Sequence, residues 1–111
     1  MSNKRQRTEY LREYRKTSKG RFHVYRSAAK ARGINMEINL QTFSKIISLP
    51  CVYCGDIDSK IGIDRVDNSL GYTEENSAPC CSKCNYMKKD MNFKQFIEHV
   101  KKIQAFNSIY H

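Results

Sequence analysis

Residues 51–85 read CVYCGDIDSKIGIDRVDNSLGYTEENSAPCCSKCN, and this stretch decides how the chain is expected to fold. It contains two Cys-x-x-Cys pairs, Cys51/Cys54 and Cys81/Cys84, each with the spacing of a zinc knuckle. Four thiolates from two knuckles form a tetrahedral all-cysteine site, the closed geometry that is typical of structural Zn2+. One such pair is a weak signal, whereas two pairs at this spacing strongly predict a zinc site.

The length and the cysteine content of the chain limit its class. At 111 residues it is expected to form one domain with a modest core, so a structural metal would contribute to its stability. Five cysteines, grouped as CxxC and CCxxC, favour a metal site in a reduced compartment over a disulfide framework. Cys80 lacks the two-residue gap to Cys84 and is expected to pack. No apolar run approaches the roughly 20 residues that span a bilayer, so we expect a cytoplasmic protein without a membrane partner.

The positive charge of the chain is concentrated at its N-terminus. The formal net charge is +9, and residues 1–32 contain eleven Lys and Arg against two Glu, which accounts for all of it. Residues 33–111 balance, with nine basic and nine acidic side chains. Solubility alone needs no such segregation of charge, so a neutral body behind a basic arm predicts a polyanionic partner.

Apolar periodicity and turn residues predict the elements around the cysteine stretch. Residues 1–6 are expected to be disordered, and Lys19-Gly20 is expected to separate the first two helices. Asn92 with Gln95 has the pattern of a capping box for a last helix, whose apolar stripe is expected to close the core. In chain order we predict helices over residues 8–16, 21–32, 40–48, 82–90 and from 92 onward, with short strands over 34–38 and 62–67. These elements divide one globular domain into an arm with packing helices (1–50), a core (51–91) and a C-terminal helix (92–111).

Over residues 51–90 the chain resembles the HNH, or ββα-metal, endonucleases, whose zinc-bearing members have a similar cysteine frame. Those members carry Asp-His at the end of the first strand, Asn before the second strand, and Cys-x-x-Cys-Asn/His at the start of the helix. The matching residues here are Gly62-Ile-Asp-Arg65, Asp67, Gly71-Tyr72, Asn76 and Cys81-x-x-Cys84-Asn85. The resemblance implies an α+β fold, a small ββα-metal core stapled by a four-cysteine zinc site with helices before and after it.

The resemblance also implies roles for three residues of this core. Asp64 at the strand end and Asn85 in the first turn of the helix would hold a catalytic Mg2+ or Mn2+ through oxygen ligands. Asn85 directly follows the zinc ligand Cys84, so the knuckle would fix its position. Asn76 would brace the loop rather than contact the substrate.

Arg65 departs from the motif, which usually has a general-base His at this position. A guanidinium that stays protonated cannot take a proton from water. The chain therefore resembles an Asp-Arg subgroup of restriction enzymes, in which Arg binds phosphate and a tyrosine accepts the proton. Tyr53 is the first candidate base, because a nearby metal and Arg65 would favour its phenolate, although simple packing explains its position equally well. His23 is the second candidate. Asp64 and Arg65 can share a site only if the strand ends or bulges there.

Basic residues on two helices are candidates for DNA contacts. Lys88 and Lys89 follow Asn85 by three and four residues, on the same helical face, and are expected to reach DNA phosphates. The basic residues of the second predicted helix lie mostly outside its apolar stripe. This position fits either a phosphate-binding face or a face that only contacts solvent. The residues are Arg21, Arg26, Lys30 and Arg32.

The resemblance predicts a metal-dependent endonuclease, restriction-like or homing-like, that hydrolyses double-stranded DNA, and phage enzymes of this kind act in the host cytoplasm. A short palindromic target would require a homodimer. One alternative is an inactive nucleic-acid-binding module with the same fold, which Arg65 favours and the retained Asp64, Asn85 and Lys88 oppose. Another is an accessory subunit of a phage packaging nuclease.

Overall fold

The structure is a computed structural model, and it describes residues 4–110. The helices and strands follow one another as α1 (Lys4–Lys16), α2 (Ser18–Ala31), α3 (Leu40–Ile46), β1 (Ile61–Arg65), β2 (Ser77–Cys81), α4 (Ser82–Lys88) and α5 (Phe93–Tyr110). The fold is α+β, as predicted, with five helices around a two-stranded sheet in the described part of the chain.

The first two helices form a hairpin. α1 begins at Lys4, so the prediction of disorder is wrong for residues 4–6, while residues 1–3 lie outside the described residues. The Thr17 hydroxyl caps α2 by accepting a hydrogen bond from the Gly20 N–H. Gly20 does not separate the two helices, contrary to the prediction. It lies buried inside α2, where any side chain would clash with the Tyr14 carbonyl. Its lack of a Cβ therefore lets α1 and α2 approach closely.

The larger core lies between α2, α3 and the sheet. Its buried apolar side chains come from all three elements, and Phe22 and Phe43 meet edge to face with ring centroids 5.4 Å apart. Residues 34–38, predicted to be a strand, form only a single parallel bridge between Met36 and Tyr72. The buried members of this core are Phe22, Ile38, Phe43, Ile46 and Ile63.

The sheet has two antiparallel strands. Asp64 pairs with Ala78 and Arg65 with Ser77 at one end, while Ile61 pairs with Cys81 at the other. β2 runs directly into α4, so the sheet and this helix form one continuous ββα unit. The Cys81 sulfur accepts a hydrogen bond from the Cys84 N–H at the start of α4, as an N-cap residue does.

The last helix begins as predicted but does not close the core. Asn92 and Gln95 exchange reciprocal hydrogen bonds between side chain and backbone, which confirms the capping box. Phe96 is the one residue of α5 that is buried, and every residue from 101 to 110 is exposed. The stripe prediction is therefore wrong beyond the first turns, because no other described element packs on that face. None of the described helices is both long and apolar enough to cross a membrane.

Candidate active site and metal centre

The cysteines of the two knuckles converge on one point. The sulfur atoms of Cys51, Cys54, Cys81 and Cys84 all lie within 4.8 Å of one another. Tetrahedral zinc with Zn–S bonds of about 2.3 Å requires sulfurs separated by roughly 3.8 Å, and the Sγ atoms of Cys54 and Cys81 are 3.7 Å apart. The cluster therefore has the donor set and the spacing to hold a structural metal ion such as zinc.

Backbone contacts fix the cluster and bias its protonation. The N–H of Val52 donates to the Pro79 carbonyl at 2.8 Å, which docks the first knuckle on β2. Burial raises the pKa of Cys51, but backbone N–H groups from both knuckles outweigh it and lower the pKa to about 6. Burial also raises the pKa of Cys84 above its usual range. The pKa of Cys51 therefore favours its thiolate at neutral pH, and the thiolate is the form that binds a metal ion.

A second feature is an open cleft of about 600 Å³ between α2 and the ββα unit. Five of the residues predicted to act in catalysis or DNA binding line it together: Arg32, Asp64, Arg65, Asn85 and Lys89. Asp64 and Arg65 share the cleft because β1 ends at Arg65, which meets the condition set by the alternation of strand side chains. Residues that sequence reasoning did not single out also line it, among them Tyr25, Asn68 and Asp90.

Asp64 is the most tightly held residue of the cleft. Only 4% of it is exposed, and its two carboxylate oxygens have different partners. The Tyr53 hydroxyl donates to Oδ2 at 2.6 Å, and the Lys88 ammonium donates to Oδ1 at 3.2 Å. The same ammonium donates to the Arg65 carbonyl at 3.2 Å. Two donors from distant parts of the chain thus fix the rotamer of this carboxylate.

Lys88 does not fit its predicted role as a DNA contact. Its side chain is fully buried, with 0% exposed, and its ammonium is engaged by Asp64 and by the Arg65 carbonyl. A cation in this position cannot reach a phosphate on the surface. Lys89, the next residue, is exposed, lines the cleft and lies with its ammonium 5.4 Å from the centroid of the Tyr86 ring.

Tyr53 does not have the lowered pKa that a proton acceptor was expected to have. Its hydroxyl donates to Asp64, and its ring packs between Phe93 and Phe96, with centroid distances of 5.3 and 5.2 Å. Burial, followed by the hydrogen bond to Asp64 and the charge of that carboxylate, raises the pKa of Tyr53 well above its usual range. In this geometry the phenol is a hydrogen-bond donor that holds Asp64 in place.

Arg65 and Asn76 organise the loop that joins the strands. Nη1 of Arg65 donates to the carbonyls of Asn68 and Leu70 at 2.8 and 2.9 Å, and its guanidinium lies 5.6 Å from the centroid of the Tyr72 ring. The buried Asn76 donates through Nδ2 to the carbonyls at residues 67 and 71, and its Oδ1 accepts from the N–H at 67. Hydrogen bonds from Arg65 and Asn76 at its two ends therefore fix the loop between β1 and β2, part of which lines the cleft.

The remaining predicted residues of α2 do not line the cleft. His23 lines a separate groove between α1 and α2, so it is not positioned to act as the base. The guanidinium of Arg21 donates to the Ile61 carbonyl and ties α2 to β1, which leaves it a structural role. Arg26 lies over the Phe22 ring at 5.5 Å from its centroid, and Lys30 is simply exposed.

Sequence reasoning did not predict that Lys88 is buried and pairs with Asp64. The i+3 spacing from Asn85 to Lys88 indicated a common face, but helical spacing does not say whether that face meets solvent or a strand. One usable signal was the charge of Asp64. A carboxylate at the inner end of a buried strand needs a compensating cation, and α4 follows β2 without a break.

Comparisons with known proteins agree with this fold. No family model matches the chain. The chain is 35% identical over 89 residues to an uncharacterised protein of Acanthamoeba polyphaga mimivirus, and the match covers 76% of this chain but only 16% of the viral protein. Among solved structures, it is similar to the rare-cutting HNH restriction endonuclease PacI, with a TM-score of 0.64 and 18% identity over 83% of this chain and 80% of that one. The fold is therefore HNH-like, as predicted.

Proposed function

We propose that this protein is a metal-dependent endonuclease of the HNH type that hydrolyses phosphodiester bonds of double-stranded DNA. The observation that carries the proposal is the cleft, which gathers a carboxylate, an amide and three cations beside a metal-binding cysteine cluster: Asp64, Asn85, Arg32, Arg65 and Lys89. The HNH-like fold supports it. In this proposal the cysteine cluster holds structural Zn2+.

The residues of the cleft fit a catalytic Mg2+ or Mn2+. Carboxylate and amide oxygens are the ligands that these ions prefer, and Asp64 and Asn85 line the same cleft. Each Asp64 oxygen accepts one protein hydrogen bond, so each keeps a lone pair for an ion. When bound, the ion would supply positive charge at the reacting phosphate and lower the pKa of a coordinated water.

The chain's own residues would bind and orient the DNA. Lys89 and Arg32 supply cationic side chains at the rim of the cleft, and Arg65 is presented by the loop that it ties together. Lys88 and Tyr53 would orient Asp64 through their hydrogen bonds to its two carboxylate oxygens. The basic segment formed by α1, α2 and Arg32 would add contacts to phosphates along the duplex, because residues 1–32 account for the net charge of the chain.

The proposal includes the cellular compartment and the oligomeric state of the protein. The grouped cysteines suit the reduced cytoplasm, and the viral relative suits a phage or viral protein that acts in its host. A palindromic target would require a homodimer, which light scattering with and without DNA would detect.

The test is cleavage of supercoiled plasmid by the zinc-loaded protein, with Mg2+, Mn2+ or EDTA. Nicking that depends on the ion is expected, and Asn85→Ala should reduce it by about 10²–10³-fold, the usual cost of one electrostatic contact to the reacting group. Asn85 is exposed, so the fold should survive the change. Asn107→Ala, an exposed amide on α5, is the matched control. Wild-type protein that cuts no DNA under any of these conditions would overturn the proposal.

A second candidate is a nucleic-acid-binding module without catalysis. The observation that favours it is the lack of a histidine among the described residues that line the cleft, where Arg65 stands at the usual position of the base. This candidate predicts salt-sensitive DNA binding that neither needs divalent ions nor leads to cleavage. An accessory subunit of a packaging nuclease would instead cut only when its partner is added.

A further inference from the structure

The proposed reaction needs a group that accepts a proton from water, and the predicted candidates do not supply one. Arg65 stays protonated, and Tyr53 is committed as a donor to Asp64. His23 lies in another groove. Asp64 accepts hydrogen bonds from Tyr53 and Lys88, and in the proposed function its remaining lone pairs bind the metal ion.

Asp90 is the second carboxylate that lines the cleft. It is exposed, and within residues 4–110 we find no hydrogen bond or ion pair to its carboxylate oxygens. Its neighbours along the cleft include the cations Arg32, Arg65 and Lys89, which would hold a phosphate group close to it. Asp90 thus has a free oxygen in the same space as the proposed substrate.

The backbone around Asp90 is fixed on both sides. The Met91 N–H donates to the Lys88 carbonyl at 3.0 Å, which closes a four-residue turn with Asp90 at its third position. The side-chain amide of Asn68 lies 3.4 Å from the carbonyl oxygens on either side of Asp90, those of Lys89 and Met91. Lys88, the first residue of the turn, is fixed by the hydrogen bond of its ammonium to the buried carboxylate of Asp64. These contacts fix the backbone position of Asp90 at the cleft before a substrate arrives.

The same turn contains the one strained residue of the described backbone. Lys89 has φ 51° and ψ −117°, the geometry of the second residue of a type II′ turn, where glycine is usual. Strain of this kind is concentrated at functional sites, where the surrounding structure enforces it. Here it ends α4 at Lys88 and turns the chain so that Lys89 and Asp90 both line the cleft.

We propose that Asp90 is the general base of the cleft, an inference that rests on the proposed endonuclease function. As the water oxygen bonds to phosphorus, a carboxylate oxygen of Asp90 takes one proton from that water. The bond from phosphorus to the leaving oxygen breaks, and its electron pair stays on that oxygen. The leaving oxygen then takes a proton from solvent, and Asp90 returns its own. One water is consumed for each bond cut.

The test uses the full-length, zinc-loaded protein with Asp90→Asn, which keeps the shape of the side chain and removes its basicity. The single-turnover cleavage rate should fall by about 10²–10⁴-fold, the usual value of general-base assistance. DNA affinity should stay equal or become tighter, because a negative charge near phosphates is lost. Affinity for Mg2+, measured by calorimetry without DNA, should not change. Asp58→Asn, an exposed carboxylate outside the cleft, is the matched control and should behave as wild type.

Three outcomes would overturn the assignment. Cleavage by Asp90→Asn within about threefold of wild type would exclude Asp90 as a base, while leaving the endonuclease function intact. A tenfold loss of Mg2+ affinity together with the loss of cleavage would make Asp90 a metal ligand instead. Wild-type protein that cuts no DNA would remove the proposed function, and this inference with it. As a positive signature, added formate should restore part of the activity of Asp90→Ala, because a small carboxylate can occupy the vacated position.

Discussion

Residues 51–92 and the C-terminal part of α5 carry equally clear sequence patterns. The residues that form the pattern are mostly buried in the first region and exposed in the second. In the first region, three of the four knuckle cysteines, Asp64, Asn76 and Lys88 are all buried, and side-chain bonds tie its strands, loop and helix together. In the second, the apolar stripe continues through Ile103 and Phe106, yet these residues are 49% and 58% exposed. The difference shows that a periodic pattern predicts which side chains share a face, whereas burial requires a second surface that the pattern does not contain.

The same lesson applies to two adjacent lysines. Lys88 and Lys89 look equivalent in sequence, but Lys88 is fully buried against Asp64, and Lys89 lies on the rim of the cleft in a strained conformation. One lysine therefore stabilises the site from inside, and the other is free to contact a ligand. The four predictions below test both contrasts.

The largest effect is expected from losing the cysteine cluster. Cys81→Ser should abolish stoichiometric zinc and with it the cooperative unfolding transition, because the energy of metal binding is part of the folding energy in so small a domain. Cys80→Ser is the control, since Cys80 is buried but is not one of the four converging sulfurs. Metal analysis and thermal denaturation measure both. A well-folded, zinc-free Cys81→Ser protein would contradict the prediction.

Lys88→Met should destabilise the protein by about 3–5 kcal/mol, because it leaves the Asp64 carboxylate buried without its cation. Lys89→Met removes the same charge from an exposed position and should change the free energy of unfolding by less than about 0.5 kcal/mol. Denaturant titration measures both values. Equal effects from the two substitutions would show that the ion pair of Lys88 is not the source of the difference.

The two parts of α5 should respond differently to removal. Phe96→Ala should cost about 3 kcal/mol, because Phe96 is only 5% exposed and packs against the Tyr53 ring. Deletion of residues 101–111 should cost less than about 1 kcal/mol, since residues 101–110 are exposed along their whole length. Thermal denaturation of the two proteins compares them. A large loss from the deletion would mean that the exposed stripe has a partner in solution.

The smallest effect concerns the strained turn. Lys89→Gly should raise the free energy of unfolding by about 1 kcal/mol, because glycine adopts φ 51° without strain. The same change should weaken DNA binding and reduce the slope of log K against log salt by about 0.9, the value for one lost phosphate contact. Lys83→Gly, at another exposed lysine of α4, should lower stability instead. A destabilised Lys89→Gly protein would show that the turn is not strained by lysine.

The cysteine spacing was sufficient to predict the four-sulfur cluster, whereas the ββα fold around it was implied by the resemblance to HNH endonucleases. Two Cys-x-x-Cys pairs allow few arrangements in which four sulfurs converge, so Cys51, Cys54, Cys81 and Cys84 were identified without knowledge of the strands. The capping box at Asn92 was equally local, because its partners lie three residues apart. The burial of Gly20 inside α2 was missed, since it depends on packing between two helices.

The candidate site was only partly predictable. The motif resemblance pointed to Asp64, Arg65 and Asn85, which line one cleft. The hydrogen-bond partners of Asp64 could not be predicted from the sequence, because Tyr53 and Lys88 lie 11 and 24 residues from it along the chain. Without that proximity, the burial of Tyr53 and its hydrogen bond to Asp64, which raise the pKa of the phenol, were not foreseen.

The sequence by itself determined the four-cysteine cluster, the concentration of positive charge at the N-terminus and the boundaries set by local caps, and its resemblance to HNH endonucleases predicted the α+β class. These features depend on residue type and short spacings, which local chemistry controls. Only the tertiary structure decided which charged groups are buried, which lysine faces the cleft and that Asp90 joins Asp64 there. The physical reason is that burial, ion pairing and cleft formation arise between segments distant in the chain, and their energies depend on the surface each segment meets.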